Sequence, residues 1–104
     1  MIDSRVFAAI PDMVVGVVVA QGVDNTKAVP EVSAMLAQSV EAAEARFSGR
    51  EVKKAEEIVP YREAFRALGI NPNRFPCSAE ALFSRIGKGK GMPSINPLVD
   101  LNNA

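Results

Sequence analysis

The chain of 104 residues contains no histidine, no tryptophan and a single cysteine. Without an imidazole it cannot build a Ser/His/Asp or Cys/His nucleophile pair, an imidazole general base or the commonest zinc sites. The single thiol, Cys77, cannot form an internal disulfide, and this low count agrees with a reducing compartment. These absences exclude most familiar hydrolase chemistry, and we expect no metal ion or other cofactor.

Long apolar runs are also missing. The longest, residues 13–20, is far too short to span a bilayer, and no basic stretch precedes the first apolar residues. We therefore expect a soluble, cytoplasmic protein with no membrane partner. A chain of this length buries about 65% of the surface that it exposes when unfolded, so residues 1–104 are expected to form one domain with one modest core.

The formal net charge is zero, but the charges are unevenly distributed. Residues 1–59 carry six basic and nine acidic side chains, whereas residues 60–91 carry six basic and only two acidic ones. A local basic surface can hold a phosphate backbone even on a neutral molecule, because distant charges are screened by salt. The alternative is an ordinary solvated helix surface.

The first twenty residues favour β-structure. Residues 4–10 end at a Pro-Asp turn signal, and the valine-rich run 13–20 fits a central strand that is covered on both faces. From residue 30 onward the apolar residues recur every three or four positions, which is the spacing of a helix. Helices are predicted from Pro30 to Gly49, from Pro60 to Gly69 and from Ser78 to Gly87, with a final short helix over residues 98–103. The charged stretch 50–57 fits either a helix or a connection. The predicted fold is therefore mixed α/β: a valine-rich sheet covered by about three to four helices.

Six basic side chains are candidates for binding nucleic acid, provided that the second and third predicted helices pack side by side. The segment Gly87-Lys-Gly-Lys-Gly91 lacks the spacing of a nucleotide-binding P-loop, and it fits either a basic loop that contacts phosphates or a plain solvated turn. The candidates are Arg62, Arg66, Arg74, Arg85, Lys88 and Lys90.

Three motifs in residues 61–103 carry a family resemblance. They are Tyr-Arg-x-x-Phe-Arg-x-x-Gly-Ile from residue 61, Arg-Phe-Pro-x-Ser-x-Glu-Ala-Leu from residue 74, and Ser-Ile-Asn-x-x-Val-Asp-x-x-Asn from residue 94. Together they resemble the N-terminal half of the B-three/four domain, the editing module of the phenylalanyl-tRNA synthetase beta subunit, which also occurs as free-standing proteins. The resemblance covers about two fifths of the chain.

This resemblance implies a mixed α/β fold with a cleft for a misattached amino acid on the 3′ end of a tRNA. Its activity is that of an aminoacyl-tRNA deacylase, which orients water without a protein nucleophile and is not a ligase on its own. The catalytic residues are not identified, and Asn-Asn replaces the Thr-Asn pair that is common in bacterial synthetases. The substrate-binding residues that the resemblance implies are Asn96, Asp100, Asn102 and Asn103.

Family domains continue for about as much again after these motifs, so the chain is expected to be an N-terminal half or a fragment of a larger domain, or a minimal form without activity. Its expected partners are a tRNA acceptor end with its aminoacyl moiety, and a complementary half-domain or further copies of itself, because unpaired strand edges favour association. Two alternatives stay open: a non-catalytic RNA- or tRNA-binding module, and a small-ligand or protein interaction domain.

Overall fold

The computed structural model describes residues 2–104, and every regular element in that range is helical. A 3₁₀ turn over Val52–Lys54 separates the second α-helix from the third. The α-helices, in chain order, are α1 (Ser4–Ala9), α2 (Pro30–Phe47), α3 (Val59–Ala67), α4 (Ser78–Gly87) and α5 (Pro97–Asn103).

The predicted sheet is therefore wrong for the described part of the chain, and so is the mixed α/β class that the resemblance implied. The segment predicted as the first strand forms α1, because the Asp3 side chain accepts the backbone N–H of Arg5 and caps a helix there. The valine-rich run 13–20 has no regular structure. A strand needs a hydrogen-bonded neighbour, and residues 2–104 supply none.

The helices predicted from residue 30 onward are confirmed to within one or two residues. Pro30 occupies the first turn of α2, where a backbone N–H would lack a partner in any case. Gly49 and Gly69 follow α2 and α3 with φ of 69° and 78°, the left-handed conformation that ends many helices. Proline and glycine therefore set these boundaries, as the sequence predicted.

A small core joins the end of α2 to the segments that follow it. Phe47, Val52 and Ile58 are buried together, and the Phe47 and Phe83 rings lie 4.7 Å apart between centroids. Helix α4 approaches α2 closely at Gly87, where a Cβ atom would lie 2.9 Å from the Phe47 carbonyl oxygen. The absence of a side chain at residue 87 thus permits this helix contact.

Helix α2 is the centre of the structure, because both α4 and α5 pack against it. The Ser39 hydroxyl of α2 donates a hydrogen bond to the Ala104 carbonyl at the end of α5, at 2.6 Å. The radius of gyration is 15.8 Å, against about 13 Å for a compact domain of this length. The run 13–20 adds no residue to the buried core, and most of its valines are exposed. Across residues 2–104 there is no helix with the length and apolar character needed to cross a membrane.

A candidate binding cleft between helices α2 and α5

The segment before α5 is organised around a buried carboxylate. Asp100 is 4% exposed and accepts hydrogen bonds from the Ser94 hydroxyl at 2.6 Å and from the Ile95 N–H at 2.9 Å. Asn96 caps α5, since its Oδ1 accepts the Val99 N–H at 2.9 Å. The motif Ser-Ile-Asn-x-x-Val-Asp is thus a folding unit in which side chains fix the entry into a helix.

The same contacts predict how stability depends on pH. The Ser94 hydroxyl, followed by the Ile95 N–H, lowers the pKa of Asp100 below its ordinary value of 3.8. A carboxylate with a lower pKa in the folded than in the unfolded chain stabilises the fold at any pH above the pKa of the unfolded chain. This contribution is lost as the pH falls through the pKa of the folded chain. We expect Asp100→Asn to reduce the loss of stability below about pH 4, measured by urea unfolding from pH 7 to pH 2.

Exposed carboxylates also titrate in this window, so a matched control is needed. Glu41→Gln removes an exposed carboxylate on α2. We expect this control to keep the pH dependence of the parent chain. An Asp100→Asn profile parallel to that of the control would contradict a folded-state role for the carboxylate.

A cleft of about 280 Å³ with a mixed polar and apolar lining lies where the loop before α2 meets the start of α5, and it is called the polar cleft because the adjoining cleft is more apolar. The Asn25 Oδ1 accepts the Leu98 N–H at 2.9 Å and so ties this loop to α5. Hydrogen bonds to their oxygens leave the Nδ2 amino groups of Asn25 and Asn96 as donors. The cleft is therefore rich in hydrogen-bond donors. The side chains that can donate to a ligand there are Asn25, Lys27, Ser33 and Asn96.

A second, more apolar cleft of about 320 Å³ adjoins the first. The two share Ser33, Ser94 and Asp100 as lining residues, so they form one groove with a polar and an apolar part. Four further side chains make the second part apolar, namely Leu36, Ala37, Val40 and Met92. A ligand with a hydrogen-bonding group beside a hydrocarbon group fits this arrangement.

The structure brings together two of the four predicted substrate-binding residues. Asn96 and Asp100 line the polar cleft, whereas Asn102 and Asn103 lie in the last turn of α5 and line neither part of the groove. The sequence analysis missed Lys27 and Ser33, which are about 60 to 70 residues away from α5 along the chain.

Arg62 does not belong to the exposed basic set, which corrects the prediction that it binds RNA. Its guanidinium is buried and forms an ion pair with Glu80, with Nη1 and Oε1 2.7 Å apart. It also donates hydrogen bonds to the Pro72 carbonyl and the Asn73 side chain. These bonds join α3 to the first turn of α4, so Arg62 acts within the fold and is shielded from a phosphate backbone.

The remaining five basic residues are exposed, but they divide between the two ends of α4. Arg66 lies in the last turn of α3, and Arg74 lies in the loop before α4, with its guanidinium 5.2 Å from the Phe75 ring centroid. At the other end, about 15 Å along a ten-residue helix, are Arg85, Lys88 and Lys90. This second group adjoins the groove, because the Arg85 Nε donates to the carbonyl of Gly91, which lines it.

No protein-family model, curated protein or solved structure matches this chain.

Proposed function

We propose that this chain binds the aminoacylated 3′ end of a tRNA, as an editing-like module for misacylated tRNA. The observation that carries the proposal is the groove, in which a donor-rich part adjoins an apolar part and one end lies beside three exposed cations. The motifs in residues 61–103 that resemble the B-three/four domain suggest the same assignment, although the structure does not have the mixed α/β fold that the resemblance implied.

The polar part of the groove suits the ester and ribose of an aminoacyl-adenosine. These groups present mainly oxygen acceptors, and Lys27, Ser33 and the Asn25 and Asn96 amides supply donors. The Lys27 ammonium lies 3.7 Å from the Asp24 carboxylate, on the exposed surface. So weak an exposed pair leaves the ammonium able to bind a ligand oxygen.

The apolar part suits the side chain of the attached amino acid. Leu36, Val40 and Met92 line it, and Leu36 is buried against the rest of the structure. Because the two parts lie side by side and share Ser33, Ser94 and Asp100 as lining residues, an apolar side chain would lie next to the ester that the polar part binds.

The cations beside Gly91 suit the phosphates of the acceptor strand. Lys88 and Lys90 alternate with Gly89 and Gly91, which adopt φ of 75° and 62°. Within residues 2–104 neither lysine forms an ion pair. Each lysine that neutralises a phosphate should contribute about one unit to the dependence of log K on log salt.

Binding without hydrolysis is the second candidate function. Both Asp100 carboxylate oxygens already accept hydrogen bonds from Ser94 and Ile95, so this group is poorly placed to act as a general base. Hydrolysis would therefore depend on water that is oriented by the donors Asn25, Lys27 and Asn96. Measurements must therefore separate the affinity for mischarged tRNA from the rate at which its ester is hydrolysed.

The test compares mischarged with uncharged tRNA at several salt concentrations. We expect the mischarged form to bind more tightly, and the double variant Lys88→Ala/Lys90→Ala to reduce the salt slope by about two units. Lys27→Ala should remove the preference for the mischarged form and leave the salt slope within about one unit. Lys53→Ala, on the 3₁₀ turn, is the matched control and should change neither.

Deacylation of the same mischarged tRNA distinguishes the two candidates. Release of the amino acid by the parent chain, reduced in Lys27→Ala, supports an editing activity. Tight binding without release supports the non-catalytic module. If neither form of tRNA binds, or if the binding does not depend on salt, the proposed function is wrong.

A further inference from the structure

The run Met13–Ala20 exposes an unusual amount of apolar surface. Val14 is 92% exposed and Val18 is 96% exposed, and Val17 and Val19 are more than three-quarters exposed. A fully exposed valine side chain presents roughly 100 Å² of apolar surface to water. These four valines therefore expose roughly 300–400 Å², as much as the largest apolar patch on many monomers.

The backbone of the same region is also unpaired. Within residues 2–104, no hydrogen bond is made by a backbone N–H or C=O group of residues 14–23. Valine favours extended backbone, and the run contains no charged residue and no proline. A segment with these properties pairs readily with another strand.

We propose that the run pairs with the same run of a second copy of the chain, as an antiparallel two-stranded ribbon centred on Val17. A two-fold axis at Val17 pairs one edge of each unpaired backbone through the same surface on both copies, as a symmetric dimer requires. It places Gly16 opposite Val18, and Val14 opposite Ala20. Each copy thus supplies the strand neighbour that residues 2–104 otherwise lack.

The charges that flank the run select this arrangement. A parallel, in-register pair would place Asp12 opposite Asp12 and Asp24 opposite Asp24, and like charges directly opposite are destabilising. The antiparallel pair centred on Val17 instead places Asp12 opposite Gly22, outside the apolar run. No like-charged pair then forms across the ribbon.

Two strands alone are marginally stable, so the ribbon needs an apolar cover. Helix α1 precedes the run by only a few residues and exposes Phe7 to 40%. No α1 side chain is buried in the single chain, so the helix is available to cover one face of the ribbon. This accounts for two apolar elements that the single chain leaves unpacked.

The first test is the oligomeric state in sedimentation equilibrium. The parent chain should form a dimer, and Val17→Lys should weaken it by about 100-fold because it places two lysines opposite each other at the two-fold axis. Val23→Lys is the control, since Val23 is half-exposed and lies outside the run. Circular dichroism should show unchanged helix in both, because neither residue contributes to the buried core.

The second test determines which residues of the two strands lie opposite each other, by disulfide formation in a Cys77→Ser background. Val17→Cys should cross-link two copies on air oxidation, since opposite residues in a ribbon have Cβ atoms about 4.5–5.5 Å apart. Val23→Cys should not, because the two copies of residue 23 are offset by twelve positions, or about 40 Å. Cross-linking at both positions indicates parallel pairing and overturns the proposal. A parent chain that stays monomeric at its highest soluble concentration, or a dimer that Val17→Lys leaves intact, also overturns it.

Discussion

Replacing Arg62 with methionine is expected to lower the free energy of unfolding by about 3–5 kcal/mol. The change leaves the Glu80 carboxylate buried without its cation, and Glu80 Oε2 already has no hydrogen-bond partner within the described chain. A small domain has roughly 5–15 kcal/mol of stability in total, so the variant should lose a large fraction of it and unfold at a much lower urea concentration. Urea unfolding followed by circular dichroism measures the loss.

The control and the double variant make this prediction specific to the ion pair. Arg66→Met changes an exposed arginine on the same helix and should cost less than about 0.5 kcal/mol. Adding Glu80→Leu to Arg62→Met removes the uncompensated charge, and we expect it to restore much of the lost stability. A double variant less stable than Arg62→Met alone would show that the loss comes from packing or from the bonds to Pro72 and Asn73.

Phe47→Ala is the second substitution with a large expected effect, a loss of about 3–5 kcal/mol. Phe47 is buried at the end of α2, against Phe83 of α4, and belongs to the same cluster as Val52 and Ile58. The cavity left by the ring would open the contact between the two helices. Thermal and urea unfolding should both show the loss.

Phe75→Ala is the matched control for this substitution, because Phe75 is 55% exposed. Its ring contacts the Arg74 guanidinium on the surface, and we expect its removal to cost less than about 1 kcal/mol. Equal losses from the two variants would contradict the assignment of the core to Phe47.

The helical part of the fold was predictable, because its signals are local. Pro30 and Gly49 bound α2, and the apolar stripe between them needs no distant partner to favour a helix. The run 13–20 is different. Valine favours extended backbone, but whether an extended segment forms a sheet depends on a neighbouring strand, which the described chain does not contain.

The candidate site was only partly predictable, for a related reason. Asn96 and Asp100 were found, yet the structure uses both to cap and brace the start of α5. Lys27 reaches the same cleft through the contact between Asn25 and Leu98, which joins residues 73 positions apart. A contact over such a distance leaves no local pattern in the sequence.

Arg62 shows the limit of periodicity as a guide to burial. Arg62 and Arg66 are four residues apart on one helix, and both were predicted to bind nucleic acid. The loop after α3 covers only the first of them, through the Pro72 carbonyl and the Asn73 side chain. Exposure on a short helix therefore depends on which neighbouring segment folds back over it.

The close approach at Gly87 links the spacing of two helices to the width of the groove. Gly87 ends α4, and the next four residues lead to Gly91, which lines the apolar part. A larger residue at 87 would push α4 away from the Phe47 carbonyl, and the attached segment would move with it. The dimensions of the space offered to a ligand are thus set partly by a backbone contact in which no ligand takes part.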